Sequence, residues 1–518
     1  MNKIQQYDFF ESELHLEVFP GENPFEKNVS GTFTSPENKS FTVAGFYDGK
    51  ADCDGTLDEE KSPDGRDVFK IRFMPQTCGL WKYKLCDGQT GTFEVIEAPL
   101  CENNHGPVRV SQKYHFAYAD GKRYIPNGTT CYVWHLQTPE LIEETFKTLE
   151  KSSFNKIRFC IFPKHYDYNF RDPLYFPFEG KPIDNSKINK WNFQEYNCKS
   201  AGNDWDFSRF NTEYFRHLEK CILRLQKMGI EADLILFHPY DRWGFQNMSQ
   251  EINIRYLKYV TARLSAFRNV WWSLANEYDF NPYRTIDEWE ELAQVLVEND
   301  PYNHLRSIHN GCTFYDFSKK WISHCSIQRV DVYKCAEYTN EWREKYGKPV
   351  ILDEISYEGN IQWGWGNSTG QEIVRRCWEA ALRGGYGSHS ETFVNKDDVL
   401  WWSHGGKLHG QSEPRLSFLF KILEDAPDNL KYVQSSWDDV HALPENDEIA
   451  AKTGYQLFYY SFMQPSFRDF DFGNPGEKFK VEIIDTWEMT VKNAGFFSGK
   501  ARIDLPGKQF IAVRVRKI

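Results

Sequence analysis

Hydrophobic and polar positions divide the chain into three stretches with different periods. Over residues 1–98 apolar and polar residues alternate in short runs, LHLEVF, GTFTS, FTVAGFYD, VFKIRFMP, WKYKLC and GTFEVIEA, separated by Gly, Pro, Asp and Asn. Period-two alternation broken by turn residues predicts strands with one buried face, and their spacing predicts a β-sandwich. The polar, proline-bearing stretch APLCENNHGP ends this pattern and puts the first domain at residues 1–100.

From about residue 115 the pattern becomes one of apolar strands and amphipathic helices in turn. After YIPNGT, the segment TPELIEETFKTLEKSS sets Thr138 as N-cap, Pro139 at the first helical position, and Ile142, Phe146 and Leu149 on one face. NKIRFCIFP follows as a continuous apolar strand. Helix YFRHLEKCILRLQKMG stops at Gly229, a C-terminal cap, before ADLILF. EINIRYLKYVTARLSAF leads into NVWWSLAN, IDEWEELAQVLVEND into HLRSIHN, and a short helix over Tyr315–Lys320 into WISHCSI. VYKCAEYTNEWREKYG leads into KPVILDE, QEIVRRCWEAALRGG into YGSHSETF, and PRLSFLFKILED closes the series. Eight apolar strands alternating with eight helices predict an α/β fold, a (β/α)8 TIM barrel over residues 101–426. An open doubly wound sheet is the alternative, but its glycine-rich first turn is absent. Residues 427–518 return to strands, GYQLFYYSF, KFKVEIIDTW, ARIDLP and FIAVRVRKI, and predict a second, C-terminal β-sandwich.

Catalytic groups of such barrels sit at the C-terminal ends of the strands. Strand 1 ends near Asn127 and Thr129, with Trp134 and His135 beyond it. Strand 2 carries Arg158 and ends before Lys164 and His165. Strand 3 ends at His238, before Tyr240, Asp241 and Trp243. Strand 4 ends at Asn276–Glu277, strand 5 at His309–Asn310, strand 6 near His324 and Gln328, and strand 7 at Asp353–Glu354. Strand 8 ends near His389 and Glu391, with Trp401 and Trp402 in the loop after it. Glutamates at strands 4 and 7 would face each other across the barrel mouth. Glycoside hydrolysis needs such a pair, one to protonate the leaving oxygen and one to attack the anomeric carbon or activate water. Arg158 would keep the nucleophile ionised, and Asn276 would bind a sugar hydroxyl. Each residue also has an ordinary explanation: a strand-end Glu can cap a helix or pair with an Arg, and a strand-end His can be a satisfied structural group.

Composition bears on the partner. Aromatics reach 16%, with 17 Trp, 28 Tyr and 40 Phe; flat apolar rings suit sugars, though they also fill large cores. Trp134, Trp243, Trp363, Trp401 and Trp402 are the candidate stacking residues. A net charge of −12 argues against nucleic acid or an anionic membrane as partner. No run approaches the roughly 18 apolar residues of a membrane span. Twelve cysteines stand singly, with no Cys-x-x-Cys pair, and no histidines have metalloprotease spacing, so no metal or cofactor is expected. MNKIQQYDFFESELHLEVFP lacks the apolar run of a signal peptide, which predicts a cytoplasmic protein working on imported oligosaccharides in an exo-type pocket. A homo-oligomer is compatible with all of this.

The Asn-Glu end of strand 4 and the Glu end of strand 7 resemble clan A glycoside hydrolases, whose retaining barrels carry an acid/base and a nucleophile there. Across nearly the whole chain the likeness is to a bacterial group with an apiosidase-like barrel between two β-sandwiches. DGKRYIPNGTTCYVWHL resembles that barrel's first strand, and KFKVEIIDTW…SGKARIDLPGKQFIAVRVRK the group's C-terminal domain. The resemblance implies Glu277 as acid/base and Glu354 as nucleophile, with Arg158, Asn276 and His238 in the clan's positions on strands 2, 4 and 3. Strand 6 departs from it, offering His324 where clan members often offer a Tyr to the nucleophile. The expected function is retaining hydrolysis of a short β-linked oligosaccharide. The alternative is a non-catalytic carbohydrate-binding protein on the same fold.

Overall fold

The computed structural model describes residues 2–51, 66–98, 103–197, 202–329, 331, 333–396, 399–435 and 438–518. The expected boundary at residues 100/101 lies outside them. At the N-terminal end, a five-stranded sheet (Asn2–Gln5, Thr90–Ile96, Gly79–Leu85, Ser30–Thr34, Ser40–Ala44) covers a three-stranded one (Phe10–Leu14, Arg66–Phe73, Phe46–Ala51). Their inner faces meet through rings such as Phe33 and Phe73, stacked at 4.2 Å.

The barrel strands are β1 (Gly128–Thr130), β2 (Lys156–Cys160), β3 (Glu231–Phe237), β4 (Val270–Ala275), β5 (Arg306–Ser307), β6 (Cys325–Gln328), β7 (Val350–Glu354) and β8 (Tyr386–Gly387). They pair in parallel from β1 to β5 and from β6 to β8. Parallel bridges His309↔Ser326 and Thr129↔His389 close the two remaining gaps, which makes a complete TIM barrel.

The helices around it are α1 (Pro139–Lys151), α2 (Thr212–Met228), α3 (Gln250–Leu264), α4 (Ile286–Asn299), α5 (Thr339–Tyr346), α6 (Gly370–Leu382), the single turn α7 (Trp401–His404) and α8 (Ser412–Glu424). Local chemistry fixes their ends. Thr138 accepts from Leu141 N at the start of α1, a reciprocal Thr285–Glu288 capping box starts α4, and Gly229 ends α2 at φ 75°.

Three expectations are corrected. No helix forms over Tyr315–Lys320, because Asp316 turns back to accept from Ser318 N at 3.1 Å and holds a turn instead. Likewise Asp331 accepts from Tyr333 N and Lys334 N, so the helix expected from Val332 begins only with a 3-10 turn at Ala336–Tyr338 followed by α5; Val332 itself lies outside the described residues. Arg123–Tyr124, read as part of the first barrel strand, instead joins Val108–Ser111 and His115–Tyr118 in an antiparallel meander. Its Phe116 packs on Trp271 and His324 and so plugs the barrel floor.

The C-terminal domain pairs a six-stranded sheet (Leu430–Val433, Val440–Pro444, Gln456–Tyr459, Ile511–Lys517, Phe479–Asp485, Thr490–Phe497) with a two-stranded one (Phe467–Asp471, Lys500–Asp504). Tyr459 stacks on Trp378 of α6 at 5.4 Å. The N-terminal sandwich docks on α2 and α3 through buried charge. Arg72 and Arg263 share Glu219 at 2.7 and 2.6 Å, and Arg263 also pairs with Asp48 at 2.8 Å. The residues lining the cavity at the C-terminal mouth of the barrel all come from the barrel itself.

Candidate active site

A cavity of about 410 Å³ at that mouth is lined by both Glu277 and Glu354. Glu277 is the second residue past β4 and adopts the left-handed conformation at φ 46°, a strained choice for a residue with a Cβ. The turn brings its carboxyl, almost wholly buried, under three donors. Tyr240 hydroxyl and Asn276 Nδ2 (3.0 Å) reach Oε2, and Gln328 Nε2 reaches Oε1 at 3.1 Å. Glu354 ends β7 and accepts from Tyr132 hydroxyl and from Arg158 at 3.3 Å, with His309 Nε2 also 3.3 Å away. Arg158 spans the pair, since its other terminal nitrogen donates to Asn276 Oδ1 at 2.7 Å.

These surroundings separate the two carboxyls. Burial raises the pKa of Glu277, and the charge of Glu354 raises it further, against smaller opposing effects of Lys164 and Tyr240. Burial acts on Glu354 in the same direction, but His309, Arg158 and the Tyr132 hydroxyl outweigh it and hold that carboxyl well below the usual range. The result is two neighbouring carboxyls whose pKa values are pushed apart, Glu277 upward and Glu354 downward.

A second polar layer lies beneath. Lys156 ties Asp233 and Asp353 together at 2.7 and 2.8 Å inside the barrel. Ser326 spends its hydroxyl hydrogen on Asp353 at 2.5 Å, so its oxygen accepts from His309 Nδ1 at 3.0 Å. That chain fixes the imidazole with Nε2 toward Glu354. Among the described residues no group of three or more His, Cys, Asp or Glu side chains could hold a metal ion.

The other candidates distribute unevenly. Arg158 and Asn276 bond to the pair as described. His238 does not line the cavity; burial pulls its pKa down to about 3, and its neutral ring accepts from Tyr240 N at 3.2 Å, which steadies the tyrosine serving Glu277. Trp363, 43% exposed, stands at the rim and donates to Asp167 at 3.1 Å. Trp402 lines the cavity.

The rest are structural. Trp134 and His135 are fully buried against Phe159. Trp243 is buried and donates to Asp172 at 3.0 Å. Trp401 and His389 both turn inward to the Thr129 hydroxyl, at 2.9 and 3.1 Å. His324 precedes β6 and lies at the barrel floor against Trp271, so it is at the wrong end of its strand to meet substrate. Gln328, at the other end, is the residue β6 contributes.

Several lining groups lie outside the substrate-binding residues expected from the sequence, among them Tyr132, Tyr166, Tyr240, Tyr357 and Trp365. Lys164 also lines the cavity, 3% exposed, with Nζ 3.5 Å from the Tyr132 ring centre, 4.2 Å from Tyr240 and 4.5 Å from Trp402. Burial draws its pKa down to about 8. Position two or three residues past a strand end is the available signal for Tyr132 and Tyr240.

Comparison with known proteins agrees with this fold. The family model described as "Apiosidase-like, catalytic domain" matches residues 111–412, and two models of domains of unknown function, DUF5060 and DUF5605, match residues 3–86 and 437–516. A crystal structure of a "putative glycoside hydrolase" from Bacteroides vulgatus ATCC 8482 is 36% identical, covers 100% of both chains and superposes with a TM-score of 0.87. A glycoside hydrolase family 5 structure from the same organism shares the fold at 14% identity and a TM-score of 0.57, covering 80% of this chain and 93% of its own. No curated protein matches the chain.

Proposed function

Since this chain belongs to the apiosidase-like catalytic-domain family and is a glycosidase acting on carbohydrate, we propose that it cleaves its glycosidic bond with retention of configuration, through Glu354 as nucleophile and Glu277 as acid/base. The observation that carries this reading is the opposed environment of two carboxyls in one cavity.

Glu354, ionised beside Arg158 and His309, attacks the anomeric carbon while Glu277 gives its proton to the departing oxygen. A glycosyl-enzyme results. As Glu354 becomes an ester its negative charge disappears, the repulsion that raised Glu277 falls, and Glu277 is left ionised to take a proton from water. Water then attacks the same carbon and releases the sugar and Glu354. Retention requires the carboxyl oxygens to lie roughly 5–5.5 Å apart, whereas inversion needs roughly 6.5–9.5 Å.

Glu354→Gln and Glu277→Gln are each expected to lower turnover of the natural linkage by roughly 10⁴-fold, without loss of folding. On aryl glycosides with good leaving groups, Glu277→Ala should recover activity with azide and yield a glycosyl azide of retained configuration. NMR of the first-formed product reads the stereochemistry directly; an inverted anomer rules the double displacement out.

A further inference from the structure

The catalytic cavity is not alone at the barrel mouth. A neighbouring cavity of about 640 Å³ opens beside it, and Lys164 lines both. The lysine is an ammonium with three N–H donors, buried, and packed among tyrosine and tryptophan rings. Among the described residues it has no hydrogen bond and no ion pair. Aromatic faces attract a cation but offer it no acceptor, and a buried charge without a partner is expensive. The acceptor has to come from what enters the cavity.

The second cavity repeats the imbalance. Its two carboxylates are already engaged: Asp172 accepts from Arg242 and from Trp243 Nε1, and Asp167 accepts from Trp363 Nε1 and from Tyr168 N. Its two further cations, Arg171 and Lys190, have no carboxylate within ion-pair distance among the described residues. Trp191, 84% exposed on the same wall, carries Lys190 Nζ 4.8 Å over its ring, and the rest of its surface is apolar area of the kind that stacks on a sugar ring. The wall therefore offers free positive charge and a flat apolar platform together.

We propose that the two cavities form one glycan-binding cleft for an acidic oligosaccharide, with Lys164 at the junction gripping a carboxylate or sulfate on the sugar next to the reacting bond, and Arg171, Lys190 and Trp191 holding the chain beyond it. This rests on reading the first cavity as the site of hydrolysis, and it names the class of substrate that site takes.

The test uses full-length enzyme carrying Glu277→Gln, which binds without turnover, on an array of uronate-bearing and sulfated glycans. Each glycan is printed beside its methyl-esterified or desulfated counterpart. Acidic members are expected to bind at least about tenfold more tightly than their neutral counterparts, the scale of one charge-assisted hydrogen bond. Loss on methyl esterification identifies a carboxylate, and loss on desulfation a sulfate. Adding Lys164→Met should erase the difference between acidic and neutral counterparts. Arg171→Gln with Lys190→Gln, both at exposed positions, should weaken only the longer acidic chains, and so tests the cleft even if the buried substitution unfolds the protein. Equal binding of acidic and neutral counterparts, binding of no acidic glycan, or an unchanged preference in the substituted proteins overturns the proposal. Charge-dependent binding by a wild-type enzyme that hydrolyses nothing would instead count against the two-glutamate mechanism and leave this inference standing.

Discussion

Tyr132 and Tyr240 each lend one hydroxyl hydrogen to one glutamate, and they make the two carboxyls separately adjustable. The proposed mechanism uses Glu354 ionised and Glu277 protonated, so kcat/KM should fall on the acid side as Glu354 gains its proton and on the basic side as Glu277 loses its own. Tyr240 favours the ionised form of Glu277, so Tyr240→Phe should move the basic limb to higher pH. Arg158 favours ionised Glu354, so Arg158→Met should move the acid limb upward, toward ordinary carboxylate values, and lower the maximum. A pH profile that shifts on the opposite limb would detach these residues from the roles given them. The backbone of Glu277 offers a second test. Glu277→Ala and Glu277→Gly delete the same carboxyl, but only glycine relaxes at φ 46°. The Gly protein should be more stable than the Ala protein by roughly 1 kcal/mol in denaturant titration. What the sequence disclosed at this scale follows from the same physics. Glu277 and Glu354 stood out because each interrupts an apolar strand at its end, a position that only an open barrel mouth makes sense of. Trp134, Trp243 and Trp401 misled because a tryptophan in a loop can turn inward as easily as outward, and nothing in local pattern chooses.

At the scale of elements, strand order was legible and strand register was not. The apolar runs of β2, β3, β4 and β7 are long enough to announce themselves, whereas β5 and β8 are two residues each and rest on their neighbours. The apolar run WISHCSI places His324 at the rim, but β6 starts after it, and Gln328 holds the rim position. Side-chain turns at Asp316 and Asp331 also competed with helix formation, a local contest that hydrophobic periodicity does not record. The contact of the N-terminal sandwich with α2 and α3 depends on pairings between residues far apart in sequence. Asp48, fully buried, faces Lys70, Arg216 and Arg263. Asp48→Ala strands those cations and should destabilise the protein by about 3–5 kcal/mol. Burial works to raise the pKa of Asp48, but Arg263, Arg216 and Lys70 outweigh it and depress it strongly. Its contribution is therefore complete above the unfolded carboxylate range and fades as pH falls below it. The wild-type and Asp48→Ala stability curves should approach each other in acid; a constant gap would exclude the linkage.

For the molecule as a whole, the three domains share their interiors. Phe25 from the N-terminal domain packs edge-on against Tyr259 of α3 at 5.5 Å, Trp378 of α6 stacks on Tyr459, and Arg415 of α8 lies 3.6 Å over the ring of Trp487. Calorimetry should accordingly show one heat-absorption peak, with calorimetric and van't Hoff enthalpies in agreement; separate peaks would mean the domains melt independently. The sharing of Tyr259 and Trp378 across boundaries also bears on how such a protein changes over generations. Recombination that lifts the barrel out of this gene uncovers those rings and breaks the pairings around Glu219, so the excised piece starts life with adhesive flanks. Specificity can drift more freely at the exposed rim positions Trp191 and Trp363. The three domains are bound to be inherited together, while the sugar they act on is free to change.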